Sequence, residues 1–167
     1  PRRHSSAASD VYKRQPYLVF EALECHGGPG YIEESIMPRL YREAPLNSIW
    51  EGSGNVMCLD VLRALQRDKN ALPALFRELA SAKGSNKNFD ENFSYLKETL
   101  HDSIDLEVEA RLMTEKMACL IQASIFIKSG EEEKVSAFCN SRLGPRWSGA
   151  FGTLPTDTSF EYIMGCL

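Results

Sequence analysis

Clusters of cysteine and histidine are missing from this chain. Its 167 residues include five cysteines and three histidines, and no two cysteines form a CxxC pair. An odd number of scattered cysteines argues against a disulfide framework and against a zinc site. The composition therefore predicts no metal centre and a reduced, cytoplasmic setting. The residues concerned are Cys25, Cys58, Cys119, Cys139, Cys166, His4, His26 and His101.

A long hydrophobic run is also missing. The longest apolar stretch, Met117 to Ile127, is interrupted by Gln122 and is too short to cross a bilayer. Residues 1–15 contain no apolar segment of the kind found in secretory signals. They resemble translated adapter sequence, so we treat them as a non-native or disordered leader. No membrane span is expected.

Alternating strand patterns of useful length are absent, and helical periodicity takes their place. The apolar spacing predicts helices from Pro16 to His26, over 38–44, from Asn55 to about residue 67, and over 71–83, 89–102, 105–128, 131–142 and 158–165. The expected class is all-α. We expect three regions: the leader 1–15, a helical domain over 16–66, and an appended helical domain over 67–167.

Three predicted helix starts carry a capping box, in which a side-chain oxygen accepts an otherwise unpaired amide and a later glutamate reaches back. The pairs are Asn88 with Glu91, Ser129 with Glu132, and Thr158 with Glu161.

The segment "NSIWEGSGNV", Asn47 to Val56, places one carboxylate between a tryptophan and small residues just before a helix. Residue chemistry alone leaves two readings of Glu51 open. It is either an acid in the first turn of a helix, where negative charge meets the positive end of the dipole, or a carboxylate presented to a ligand. Glycines on its C-terminal side would let a ligand approach the backbone closely.

Two motifs resemble the acyl-CoA dehydrogenase family. The first is "ECHGGPGYIEESIMPRLYRE", which matches a family signature at eight positions over twenty residues. The second is "WEGSGNV", which resembles the family segment that supplies the catalytic base. The wider stretch from Pro38 to Arg63 looks closer to the AidB-like branch. The eight matching positions are Glu24, Gly27, Gly28, Gly30, Tyr31, Glu34, Arg39 and Glu43.

The resemblance implies a fold and a place in a longer protein. Family members have an N-terminal helical domain, a β-barrel and a C-terminal four-helix bundle, and AidB-like members add a helical C-terminal domain. This chain would then be a C-terminal fragment that holds the end of the bundle and the appended domain. A homotetramer is implied in the same way.

The resemblance also implies a chemistry, in which an acyl-CoA thioester is dehydrogenated between its α and β carbons on FAD. Glu51 would be the base that takes the α-proton, and the electron acceptor stays open. Gly27 and Gly28 would contact the dinucleotide of a neighbouring subunit, although Pro29 departs from the usual asparagine and removes an amide donor. The remaining predicted cofactor contacts are Trp50, Gly52, Ser53, Gly54 and Asn55.

An alternative is a non-catalytic helical module that holds flavin for assembly or DNA protection, as AidB-like proteins are associated with DNA. Residues 66–167 carry 12 Lys and Arg against 15 Asp and Glu, without a basic run. Nucleic-acid binding normally needs clustered positive charge, so DNA is weakly supported. It would require the fold to gather Lys83, Lys87, Lys97 and Lys128.

Three arginines lie near the motifs. Arg63 is twelve residues from Glu51, which places it about 18 Å away along a helix and excludes a salt bridge. Its role is open between packing and binding. Arg39 and Arg42 alternate with acids, so we expect them in ion pairs at a surface or a subunit contact.

Overall fold

The computed structural model describes residues 5–50, 52–102, 105–145 and 151–165, and every regular element within these ranges is helical. The all-α expectation is confirmed. The α-helices are α1 Ser5–His26, α2 Gly28–Tyr31, α3 Met37–Glu43, α4 Gly54–Arg67, α5 Ala71–Ala80, α6 Lys87–Asp102, α7 Leu106–Ser129, α8 Glu132–Phe138 and α9 Phe160–Gly165. A 3₁₀ helix spans Ala44–Ser48, and a π-helical turn spans Cys139–Leu143.

The chain forms two compact units, Pro1–Met57 and Cys58–Leu167, which we call unit 1 and unit 2. The proposed division at residue 66 stays a prediction. The first helix begins at Ser5, eleven residues before the Pro16 at which the apolar periodicity begins. Within the described residues, no helix is both long enough and apolar enough to cross a membrane.

Unit 1 is built around α1, which packs against α3 and the 3₁₀ helix. The rings of Phe20 and Tyr41 meet with centroids 6.3 Å apart. Pro38 lies at the start of α3, where its missing amide hydrogen costs nothing, as the sequence indicated. Few side chains in unit 1 are buried, and many large apolar ones are exposed. The exposed set includes Tyr17, Leu18, Tyr31, Ile36, Leu46, Ile49 and Trp50.

A glycine-rich turn links α1 to α2. Gly27 has a φ of 62°, in the left-handed region that glycine adopts without strain. Gly30 is buried, and a Cβ placed on it would lie 2.4 Å from the carbonyl oxygen of Leu23 and 3.0 Å from His26 Cβ. Only a residue without a side chain fits at Gly30 in this backbone.

Unit 2 has a continuous core between α5, α6, α7 and the π turn. The ring of Phe93 lies between those of Phe76 and Phe89, at centroid distances of 6.0 and 6.2 Å. Burial of large apolar side chains is the main stabilising contribution here. The largest fully buried side chains are Leu79, Phe89, Leu96, Met113, Leu120, Cys139 and Ser124.

Hydrogen bonds from asparagine side chains link the π turn to α6. Asn88 Nδ2 donates to Asn140 Oδ1 at 2.9 Å, and Asn92 Nδ2 donates to the carbonyl oxygen of Leu143 at 2.8 Å. Lys116 Nζ on α7 donates to Asn92 Oδ1 at 2.5 Å. These bonds satisfy polar groups at the edge of an apolar core, where unpaired groups are costly.

The three predicted capping boxes are wrong. Helix α6 starts at Lys87, and its N-terminal side-chain contact comes from Asn86, whose Oδ1 accepts from the Phe89 amide at 3.2 Å. Ser129 is the last residue of α7 and donates to the carbonyl of Phe126, while no side chain caps α8. Thr158 Oγ1 is buried without a hydrogen-bond partner.

Candidate functional site

Two of the three glycines of the first motif lie in an open turn. Gly27 and Gly28 are exposed, and a Cβ on either would meet no atom within 4 Å. Their backbone is therefore accessible to a large ligand or to another polypeptide. Pro29 follows within α2, so one amide of this turn has no hydrogen to donate.

Four charged residues within the segment of the first motif form two surface ion pairs in unit 1. Arg42 makes two bonds to Glu33, at 2.6 and 3.1 Å, and Arg39 Nε donates to Glu43 Oε1 at 2.9 Å. The hydrogen bond from Arg42 holds the pKa of Glu33 below its usual value. The expected ion pairing of both arginines is confirmed.

An apolar pocket of about 580 Å³ opens in unit 1. The Arg42–Glu33 ion pair forms part of its wall, and the other walls are mostly aromatic and aliphatic. Among the described residues, none of the predicted cofactor contacts lines it. The lining residues are Phe20, Leu23, Tyr31, Ile32, Glu33, Pro38, Tyr41 and Arg42.

The second motif is described on both sides of its carboxylate, while Glu51 itself lies outside the described residues. The Trp50 amide donates to the carbonyl of Leu46 at 3.2 Å, and the Gly52 amide donates to that of Ile49 at 3.0 Å. Gly52 has a φ of 110°, a conformation that few residues other than glycine adopt. The peptide on either side of residue 51 therefore follows a defined turn.

Helix α4 begins directly after this turn, one residue earlier than the sequence predicted. The carbonyl of Ser53 accepts from the Met57 amide at 3.1 Å and so starts the helical bonding pattern. Helix α4 has 14 residues, and the first backbone N–H groups at its N-terminus point out of the end of the helix. Together they carry a positive partial charge. This end of α4 can receive an anionic group.

The chemistry of these residues fits FAD, whose diphosphate is anionic and whose rings are flat and apolar. Ser53 and Asn55 are exposed at the start of α4, and Trp50 is 61% exposed, so its indole is open to a ligand. The six positions from Trp50 to Asn55 form one continuous segment. Gly27 and Gly28 belong to the same unit but to a separate turn.

Arg63 is paired with a neighbour on its own helix. Its NH1 donates to Asp60 Oδ1 at 2.5 Å, three residues earlier on α4. The side chain lies in the second half of α4, as the sequence indicated. An exposed pair of this kind contributes little stability.

The four lysines considered for DNA lie in unit 2, and two of them contact carboxylates. Lys128 pairs with Glu78, and Lys87 Nζ lies 3.7 Å from Glu91 Oε1. Lys83 and Lys97 line one shallow depression together with Glu98. DNA binding by these lysines stays a prediction.

Cysteines and potential metal ligands stay dispersed in the part of the chain that is described. The described cysteines Cys25, Cys58, Cys119 and Cys139 form no disulfide with one another, and burial raises the pKa of Cys139 to about 11. Among described residues, no three His, Cys, Asp or Glu side chains gather in a way that would hold a metal ion.

Comparison with known proteins places the two motifs in one family. The family model for the C-terminal domain of acyl-CoA dehydrogenases matches residues 13–66. Residues 13–66 belong to the acyl-CoA dehydrogenase family. The resemblance read from the two motifs is thereby confirmed.

Similarity to acyl-CoA dehydrogenase relatives extends beyond residues 13–66. The chain is 39% identical over 136 residues to AidB of Escherichia coli (strain K12), whose name describes it provisionally as an acyl-CoA dehydrogenase. This alignment covers 81% of the chain and 25% of AidB. Acyl-CoA dehydrogenase family member 11 of Caenorhabditis elegans is 38% identical over 87 residues, which cover 52% of the chain and 14% of that protein. The chain thus spans about a quarter or less of each relative.

Proposed function

We propose that this chain is the C-terminal part of an FAD-dependent acyl-CoA dehydrogenase of the AidB-like branch, with Glu51 as the base that removes the α-proton of the thioester. One observation carries the proposal. Gly52, the residue after Glu51 in the sequence, has a backbone conformation that favours glycine, and the positive end of α4 begins two residues later at Gly54.

The residues of this segment would contact different parts of the bound FAD. The α4 N-terminus, with Gly52, Ser53, Gly54 and Asn55, would hold the diphosphate, and Trp50 would cover an apolar part of the ligand. Gly27 and Gly28 would contact the dinucleotide of a neighbouring subunit. Bound FAD would supply the acceptor for the hydride that leaves the β-carbon.

Glu51 would take the α-proton on a carboxylate oxygen. Proton removal beside a carbonyl is fastest when the pKa of the base is matched to the working pH and the base lies within hydrogen-bond reach. Exclusion of water by the ligand would raise the pKa of such a carboxyl group toward neutrality. This is a role that glutamine, with similar shape and no charge, cannot perform.

The wider setting belongs to the same proposal. The substrate would be an acyl-CoA thioester, the assembly a homotetramer, and the location the cytoplasm, in keeping with five cysteines that are scattered along the sequence without a CxxC pair.

Flavin bleaching would test the base assignment. A chain extended upstream to the length of the AidB relative, loaded with FAD, is mixed with straight and branched short acyl-CoAs under anaerobic conditions. We expect at least one thioester to bleach the flavin and Glu51→Gln to slow bleaching by about 10²–10⁴-fold. Asp60→Asn, which removes an exposed carboxylate on α4, serves as the matched control.

Two outcomes would count against the proposal in different ways. Equal bleaching rates for the parent protein and Glu51→Gln would remove Glu51 as the base. Tight retention of flavin without reduction by any thioester would favour the non-catalytic module. The 167-residue chain alone should purify colourless, since the family barrel that contacts the flavin ring is not part of it.

A further inference from the structure

A depression of about 390 Å³ in unit 2 gathers basic side chains from two elements. Lys83 comes from the turn that follows α5, while Lys97 and His101 lie one helical turn apart on α6. The volume falls within the range of small-molecule sites. The lining residues are Lys83, Phe93, Ser94, Lys97, Glu98 and His101.

The backbone that carries the two lysines is held in place by contacts on either side. Ala82 is fully buried, and the Gly84 amide donates to both carboxylate oxygens of Asp90 on α6, at 3.0 and 3.1 Å. Lys83 lies between these two anchors, and Lys97 lies within a helix of 16 residues. Only side chains would have to become ordered when a ligand binds, which lowers the entropic cost of binding.

Phe93 contributes an apolar wall to the depression. It is only 7% exposed, and its ring packs between those of Phe76 and Phe89. A tightly packed aromatic wall keeps water away from one side of the depression. Attraction between opposite charges is stronger beside such a wall than in bulk water, because the local dielectric constant is lower.

The ammonium groups of Lys83 and Lys97 have no ion-pair partner among the described residues, although Glu98 lines the same depression. Other lysines of unit 2 are paired, as Lys128 is. Two lysines and one glutamate leave a formal charge of +1 in the depression, within residues 66–167, where 15 acids outnumber 12 bases. The depression is therefore a local positive site on an acidic domain, and it attracts anions.

We propose that this depression binds a small phosphate monoester, whose phosphate group contacts Lys83 and Lys97. Ser94 and His101 would donate further hydrogen bonds, and Glu98 would accept one from a hydroxyl or amino group of the organic part. This inference is independent of the proposed function. The excess of acids in residues 66–167 disfavours the long phosphate backbone of a nucleic acid, which needs an extended basic surface.

A nuclear magnetic resonance titration tests the site in the 167-residue chain. The probes are inorganic phosphate, glycerol 3-phosphate and, as the neutral control, glycerol, each in 0.1 M NaCl at pH 7. We expect both phosphates to shift the amide signals of Lys83, Gly84 and Lys97 saturably, with a Kd of about 1 mM or below, and glycerol to have no effect. Glycerol 3-phosphate should bind about 3-fold more tightly than inorganic phosphate.

Substitutions separate a defined site from diffuse charge. Lys83→Ala and Lys97→Ala should each weaken binding of glycerol 3-phosphate by about 5-fold or more. Lys69→Ala removes the same charge from an exposed position of unit 2 outside the depression and should change Kd by less than about 1.5-fold. Glu98→Ala should tighten binding of inorganic phosphate and abolish the preference for the ester.

Three results would overturn the proposal. The first is the absence of saturable shifts with either phosphate, and the second is equal weakening by Lys69→Ala and Lys97→Ala. The third concerns DNA: if a 12-base-pair duplex shifts the same amides at lower concentration than glycerol 3-phosphate, and its affinity falls steeply with salt, the depression belongs to a nucleic-acid surface. Circular dichroism should show equal helicity for all variants, since the three lysines are exposed.

Discussion

Gly30 offers the clearest test of side-chain space at a single residue. Its replacement by alanine would place Cβ 2.4 Å from the backbone oxygen of Leu23, so the turn between α1 and α2 has to move. We expect Gly30→Ala to destabilise unit 1 by about 1–3 kcal/mol. Chemical denaturation followed by the fluorescence of Trp50 in a Trp147→Phe background would measure the change.

Gly28 provides the matched control, because a Cβ there meets no atom within 4 Å. Gly28→Ala should change the free energy of unfolding by less than about 0.5 kcal/mol. Equal destabilisation by the two substitutions would show that the Gly30 contact does not limit the turn.

Residue patterns predicted the site only in part. The spacing of glycines and charges located both motifs and anticipated the ion pairs of Arg39 and Arg42. The left-handed conformation of Gly52 could not be foreseen, because a glycine in the sequence is compatible with many backbone conformations and the fold selects one of them.

At the scale of elements, apolar periodicity predicted most of the helices and most of their bounds, but it missed the short helix α2 and the start of α1 at Ser5. The interruption of the segment 131–142 by a π turn was missed, as was the 3₁₀ helix at Ala44–Ser48. Asn88 fails as a cap because α6 begins one residue before it, and its side chain bonds to Asn140 on another element. Ser129 is the last residue of α7 and bonds to the carbonyl of Phe126 within that helix.

A side-chain hydrogen bond links helix α9 to the start of α8, and a single substitution removes it. Tyr162 OH donates to Glu131 Oε2 at 2.8 Å. Tyr162→Phe should therefore loosen the segment 151–165 and raise its rate of cleavage by a nonspecific protease by about 3–10-fold, since the open population governs cleavage. Tyr95→Phe, at a 41% exposed position on α6, is the control.

The same tie should depend on pH. Bonds from Lys134 and then from Tyr162 lower the pKa of Glu131 below its ordinary value of 4.5. Because the folded pKa is lowered, this contribution to stability is complete above pH 4.5 and is lost as the pH falls through the lower, folded value. Cleavage of the parent protein should approach that of Tyr162→Phe only in strong acid; a difference that persists unchanged there would contradict the assignment.

At the scale of the whole molecule, the two units differ in how much apolar surface they bury. Unit 2 has a core of fully buried side chains, including Leu96, whereas most large apolar side chains in unit 1 are exposed. Unfolding of the 167-residue chain should therefore not be two-state. Unit 1 should lose protection from hydrogen exchange at lower denaturant than unit 2.

Leu96→Ala separates the two transitions. The substitution should destabilise unit 2 by about 2–5 kcal/mol through loss of burial and formation of a cavity. Exchange of amides in residues 15–50 should be unaffected by it. A parallel loss of protection in both units would mean that they unfold together.

The exposed apolar side chains of unit 1 have a practical consequence. Any polypeptide that covers them binds the folded form in preference to the unfolded one, and so raises the unfolding temperature in proportion to the logarithm of its concentration. The unfolding temperature of unit 1 thus reports whether its exposed apolar side chains are covered. A thermal-shift titration with candidate upstream segments would rank their fit without flavin, thioester or any knowledge of the reaction.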